Sequence, residues 1–252
     1  MMTDGHEARG EYPETADIET SSDGYASRFS GEAGAWFLDV QERTLAALMT
    51  APPGSRVLDV GGGHGQVAGP LCRRGYRVTV LGSAPSCAAR IQPLVDAGQC
   101  EFLTGNVIAL PFPDGAFEAV TCFRLLPHCE RWPALVAELS RVAKREVIVD
   151  YPTRRSLNVI APALFGAKKR IEKNTRAWRL FGHGEVRRAF EAAGFTVAGR
   201  RGQFFLPMVL HRSIGNRRVS AALEGSCRAL GLIRLFGSPV IARAARLGGG
   251  DK

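Results

Sequence analysis

The chain has 252 residues, of which 45% are hydrophobic and 23% charged, and its formal net charge is +9. That is enough apolar material for one ordinary core. No run approaches the eighteen or so apolar residues of a membrane span, and the acidic start lacks the apolar stretch of a secretory signal, so a cytoplasmic protein is expected. Cys72, Cys87, Cys100, Cys122, Cys129 and Cys227 show no C-x-x-C spacing, and five scattered histidines give no ligand pattern, so no metal site is expected and the thiols read as small core residues.

Charge falls in blocks. Residues 1–24 hold seven acids against one arginine, while residues 153–252 hold twenty bases against five acids. The first block, with few aliphatic residues, reads as a disordered acidic leader. Residues 25–41 then form a helical approach in which Phe29, Trp36 and Phe37 are spaced to pack on a core. Val57, Leu58 and Val60 follow as a buried strand that ends beside Asp59 and opens into Gly61, Gly63 and Gly65, a run free of Cβ atoms leading toward a helix near Gln66. At a strand end in an open α/β sheet, that turn is where nucleotide-like ligands sit. The G-x-G-x-G spacing departs from the dinucleotide fingerprint G-x-G-x-x-G.

The string V-L-D-V-G-G-G-H-G resembles the first motif of the class I S-adenosylmethionine-dependent methyltransferases, in particular the small-molecule, type 11-like branch. The stretch from Phe102 through L-T-G-N-V-I-A-L-P-F-P-D-G-A-F-E-A-V to Phe123 is similar to the family's G-D-A-x-x-L-P-F-P-D-x-S-F-D-x-V. The resemblance spans roughly residues 25–151 and rests on three motifs in order. It implies a Rossmann-like, seven-stranded, mostly parallel sheet with an antiparallel last strand and helices on both faces. S-adenosylmethionine is the implied cofactor and a small molecule the implied acceptor. Gly61, Gly63 and Gly65 would line the methionine part, and Asp59 would help order the loop and the cofactor's ammonium end. Tyr25 and Arg28 would fold over the cofactor, with Arg28 suited to its carboxylate. At the end of the second strand, 77–83, the family carries an acid for the ribose hydroxyls. Here Gly82 stands in that place, leaving ribose recognition to backbone, to Ser83 or to another segment. Asn106, with Val107 beside it, replaces an aspartate that meets the adenine amino group, and Arg124 opens the loop after the fourth strand, 119–123.

His128 in that loop and Tyr151 after the fifth strand, 147–151, are the candidate bases for an oxygen acceptor; His128 equally reads as a loop hydrogen-bonder. A helix over 132–143 separates these two strands. Residues 153–181 exceed a simple connection and read either as a solvated basic helix or as a lid, whose Arg170, Glu172, Asn174, Arg176 and Trp178 would meet the substrate. A helix over 185–193 ends at Gly194. Strands over 195–200 and 203–210 would form a closing hairpin through Arg201 and Gly202. The methyltransferase domain would therefore occupy 25–212, followed by a basic helical extension over 213–252. One helix there would carry Leu223, Cys227 and Leu230, and a second Val240, Ala244 and Leu247. Such helices either lie peripherally on anionic membrane or pack on their own domain with arginines in water. Gly82 and Asn106 also keep open a non-catalytic binding module on the same fold. A nucleic-acid methyltransferase is the third reading, disfavoured because no nucleic-acid module is recognisable.

Overall fold

The computed structural model describes residues 12–157 and 178–248. Its centre is a seven-stranded sheet in the order β3-β2-β1-β4-β5-β7-β6, built from β1 (Arg56–Val60), β2 (Arg77–Gly82), β3 (Cys100–Thr104), β4 (Phe117–Cys122), β5 (Ala143–Tyr151), β6 (Phe195–Phe204) and β7 (Ser238–Arg246). β1 through β5 pair in parallel, whereas β7 runs antiparallel to both β5 and β6. The inner strands read as near-continuous apolar runs because helices cover both faces. Val57, Leu58 and Val60 are fully buried, as are Val147, Ile148 and Val149.

The helices are α1 (Ala16–Thr20), α2 (Asp23–Ala26), α3 (Gly31–Leu48), α4 (Ala68–Arg73), α5 (Gln92–Asp96), α6 (Trp132–Val142), α7 (His183–Ala192), α8 (Met208–Ile214), α9 (Arg217–Ala229) and α10 (Leu232–Phe236). Leu135, Val136, Leu139 and Val142 of α6 join Val186 and Phe190 of α7 on one face of the sheet. Leu45 and Leu48 of α3 and Leu71 of α4 cover the other face. Trp36 and Phe37 of α3 enclose Phe204 with Phe29, the packing role expected of them. The buried carboxylate of Glu146 accepts the backbone N–H groups of Thr50 and Ala51 at 2.9 and 2.8 Å and faces Arg243 at 3.2 Å, tying the end of α3 to β5 and β7. Among the described residues no helix is long and apolar enough to cross a membrane.

Three expectations fail at the ends of the chain. Residues 12–24 are not a disordered leader: α1 and α2 lie there, and Ala16, Asp17, Thr20 and Ser21 are buried. The hairpin through Arg201 and Gly202 does not form, because β6 runs straight through both residues and α8 replaces the second strand. The antiparallel last strand is β7, where a helix was expected. Val240 and Ala244 lie four apart, which satisfies a helical face and a strand face alike. The sheet, in consequence, extends to Arg246 instead of closing before residue 213, and among the described residues of the expected extension α9, α10 and the end of α8 are helical while 238–246 is a strand.

Candidate active site

Backbone geometry makes the loop after β1. Gly61 and Gly65 take φ of +72° and +71° around a 3-10 turn, Gly62–His64, and the Gly61 N–H donates to the Leu81 carbonyl at 2.8 Å. A Cβ on Gly62 would overlap the Asp59 carboxylate, and one on Gly63 would overlap the Cys87 carbonyl and stand 2.6 Å from Ser21 Oγ. Only glycine lets β1 and the start of the turn approach this closely. Asp59 is fully buried beneath the loop. Thr121 Oγ1 donates to its Oδ1 at 2.8 Å, whereas Oδ2 has no hydrogen-bond partner among the described residues. Burial pushes this carboxyl up to about 7. His64 fixes the far side of the turn: Nδ1 accepts the Gln66 N–H at 3.1 Å, so Nε2 carries the proton toward the Phe123 carbonyl at 3.3 Å. Burial, aided by Arg124, lowers His64 to about 3 and keeps it neutral.

Arg124, directly after β4 and its neighbour Phe123, holds the left-handed φ of +64°, rare for a non-glycine residue. Its N–H donates to Asp150 Oδ1 at 2.7 Å, its Nη2 donates to Gln41 Oε1 at 2.5 Å, and its guanidinium lies 4.3 Å from the Phe29 ring. Arg28 stacks 4.8 Å over Tyr25, which is buried beside the same group. Burial raises the Tyr25 hydroxyl, and the field of Arg124 opposes that rise. The expected residues Tyr25, Arg28 and Arg124 thus cluster together, with Arg124 close enough to His64 of the loop to act on its titration.

At the end of β2, Ser83 is buried and gives both its N–H and its hydroxyl to the Asp17 carboxylate of α1, at 2.6 and 2.5 Å. Nothing in the sequence pattern singled out Asp17, since it falls in the acidic block. Val107 is fully buried. Asn106 turns its Oδ1 to the Ile108 N–H at 3.1 Å, capping its own turn, so one lone pair of that oxygen is already engaged. An orphaned carboxylate oxygen under a Cβ-free cradle, a pair of guanidinium groups and a buried acid at the strand end fit an adenosyl amino acid. Such a ligand carries an ammonium, a carboxylate and two vicinal hydroxyls.

Leu125 packs 2.9 Å from the position a Cβ would take on Gly61, and the turn Leu126–His128 continues from it. The His128 ring lies edge-on to Trp178, with centroids 5.2 Å apart. Trp178 lines a cavity of about 770 Å³ with Pro127, Cys129, Glu130, Arg154, Arg179 and Leu180. Arg170, Glu172, Asn174 and Arg176 lie outside the described residues; a parallel bridge between Thr153 and Phe181 closes the base of their segment. Tyr151 is buried, its hydroxyl 3.0 Å from His183 Nδ1, and burial pushes it up to about 12. A phenol held there stays protonated at neutral pH, which argues against Tyr151 as the base. His183, which sequence spacing did not single out, is lowered by burial and then by Arg200 and Arg155, and it lines a second cavity of about 630 Å³ with Arg200, Arg201, Arg228 and Arg234.

A parallel sheet with an antiparallel strand inserted before its edge, and a glycine cradle at the end of β1, define a Rossmann-like methyltransferase fold. The methyltransferase domain family matches residues 58–149. The chain is 28% identical over 174 residues to a ubiquinone biosynthesis O-methyltransferase of Hahella chejuensis, covering 66% of this chain and 73% of that enzyme. It is 31% identical over 134 residues to a malonyl-[acyl-carrier protein] O-methyltransferase of Serratia marcescens, about half of each chain. Magnesium protoporphyrin IX methyltransferase from Synechocystis PCC 6803, solved with bound S-adenosylhomocysteine, superposes with a TM-score of 0.60 at 18% identity, covering 91% of this chain and 97% of that one. These likenesses indicate a class I S-adenosylmethionine-dependent methyltransferase, an enzyme that transfers a methyl group from that cofactor to a small-molecule acceptor.

Proposed function

We propose that the methyl group goes to an oxygen of a small metabolite seated against His128 and Trp178, and that the protein works in the cytoplasm. The observation that carries this reading is the His128 turn, which joins the wall of the glycine loop at Leu125 to the cavity lined by Trp178, Arg154 and Arg179. The relatives are named as O-methyltransferases, which supports oxygen as the acceptor atom.

The cofactor supplies a methyl already activated on a sulfonium, so the protein's work is placement, exclusion of water and removal of one proton. Arg28 and Arg124 would receive the cofactor carboxylate, with Tyr25 closing over it. Asp59 would hold the ammonium end, and Gly61, Gly63 and Gly65 would admit it to backbone contact. Val107 and Asn106 would bound the adenine. His128 would take the proton from the acceptor hydroxyl, and the cavity arginines together with Trp178 suit an aromatic or anionic acceptor. Arg170, Asn174 and Arg176 remain proposed substrate contacts. A peripheral contact with an anionic membrane is supported by exposed Leu230, Leu235 and Phe236 beside Arg228 and Arg234 on α9 and α10. Liposome flotation with and without an anionic lipid tests that contact.

The test of the main reading is formation of S-adenosylhomocysteine from S-adenosylmethionine with a panel of catechols, hydroquinones and carboxylic acids. His128→Ala is expected to lower kcat about 10²–10⁴-fold with cofactor affinity unchanged. Undiminished turnover in that variant would remove His128 from the chemistry.

A further inference from the structure

The end of β2 lacks the acid that the family resemblance places there, and the structure shows why none could be accommodated. A Cβ on Gly82 would lie 2.7 Å from the Cys87 Cβ and 3.0 Å from the Phe102 ring. A carboxylate nevertheless stands at this strand end, delivered from 66 residues earlier in the chain. It is that of Asp17, which receives the two Ser83 hydrogen bonds and, at 3.4 Å, the Cys87 thiol. Its Cβ is 3.5 Å from the position a Cβ would take on Gly61, so Asp17 lies between the glycine cradle and β2.

Asp17 is fully buried, and among the described residues its side-chain partners are the neutral groups of Ser83 and Cys87, with no cationic side chain paired to it. A buried carboxylate with no counter-charge is unfavourable, and three hydrogen bonds offset only part of that cost. Two oxygens offer about four lone-pair sites, which leaves capacity for another donor. One turn further along the chain, Ser21 Oγ is buried without a hydrogen-bond partner among the described residues and faces Gly63.

We propose that Asp17 is the acid that accepts the ribose hydroxyls of the cofactor, with Ser83 orienting it, so that the N-terminal segment supplies what Gly82 cannot. The proposal rests on the S-adenosylmethionine reading of the site. It assigns to α1 a ligand-binding role specific for a ribonucleoside, as opposed to a deoxynucleoside.

Calorimetric titration of the full chain with S-adenosylhomocysteine and with its 2′,3′-dideoxy analogue tests it, with circular dichroism melts confirming that each variant folds. The unaltered protein is expected to favour the ribose compound by about tenfold or more. Asp17→Ala should weaken S-adenosylhomocysteine binding by a similar factor and abolish the preference, and Asp17→Asn, which keeps the volume, should do so in part if the alanine variant fails to fold. Equal affinities and an intact preference in Asp17→Ala would overturn the assignment. Tighter binding in that variant would overturn it too, because α1 would then be a plug over the cradle. Failure of the unaltered protein to bind either compound would refute the cofactor reading itself, and the proposal with it.

Discussion

Arg124 adopts a left-handed backbone and donates its N–H to Asp150 Oδ1 at 2.7 Å, so a carboxylate at the end of β5 fixes the guanidinium that opens the loop after β4. Asp150 is buried, and burial raises its carboxyl against the pull of Arg124. Asp150→Ala should leave the Arg124 amide without its partner and cost about 1–3 kcal/mol in urea unfolding. The same variant should bind S-adenosylhomocysteine more weakly, since Arg124 is then free to leave its strained conformation. Unchanged stability together with unchanged affinity would show that the loop holds Arg124 without Asp150.

Two buried groups under the glycine loop make opposite contributions to the pH dependence of stability. Asp59 has its folded pKa raised to about 7, so between about pH 4 and 7 the folded state binds a proton that the unfolded state has released, and stability falls as pH rises. Asp59→Asn should remove this slope and melt at a higher temperature than the unaltered protein at pH 8 in the absence of cofactor. His64 is lowered to about 3, so below about pH 6.5 the unfolded state takes up a proton that the folded state refuses, and stability falls as pH falls. His64→Asn should flatten that acid limb. Thermal melts from pH 4 to 8 read both effects; parallel curves for all three proteins would contradict the burial argument.

Gly202 of β6 lies against the turn that brings α10 into β7. A Cβ there would stand 2.7 Å from the Ile233 carbonyl and 2.8 Å from the Gly237 Cα, both backbone atoms that cannot swing aside. Gly202→Ala should therefore destabilise the fold by about 1–3 kcal/mol through overpacking. Gly225→Ala on α9, with open space around it, should be neutral or slightly stabilising. Equal midpoints for the two variants in urea would show that β6 and the turn before β7 yield to the added methyl without cost.

Tyr151 and His183 form a hydrogen-bonded pair beside the arginine-lined cavity. Because burial keeps the phenol protonated, Tyr151→Phe should change kcat by less than about tenfold, leave the acid limb of the pH–rate profile in place and cost about 1 kcal/mol of stability. A loss of kcat comparable to that of His128→Ala would return Tyr151 to the chemistry.

Residues 56–151 carried their structure in the sequence. Val57, Leu58 and Val60 form a run that suits only a strand covered on both faces, and the left-handed Gly61 and Gly65 have no substitute of equal ease. The helix that became α6 was legible for the same reason, its apolar side chains recurring at a single period. The ends of the chain were not legible, because their local patterns admit two outcomes and distant partners choose between them. Val240 and Ala244 suit a helix or a strand, and hydrogen bonding to β5 on one side and β6 on the other made them a strand. Asp17, one acid among seven in a polar block, gained its place only when the fold brought α1 against Ser83. Local periodicity and glycine chemistry determined the cradle. Long-range pairing decided which strand closes the sheet and which carboxylate reaches the cofactor site, because contacts across 66 residues leave no trace in spacing.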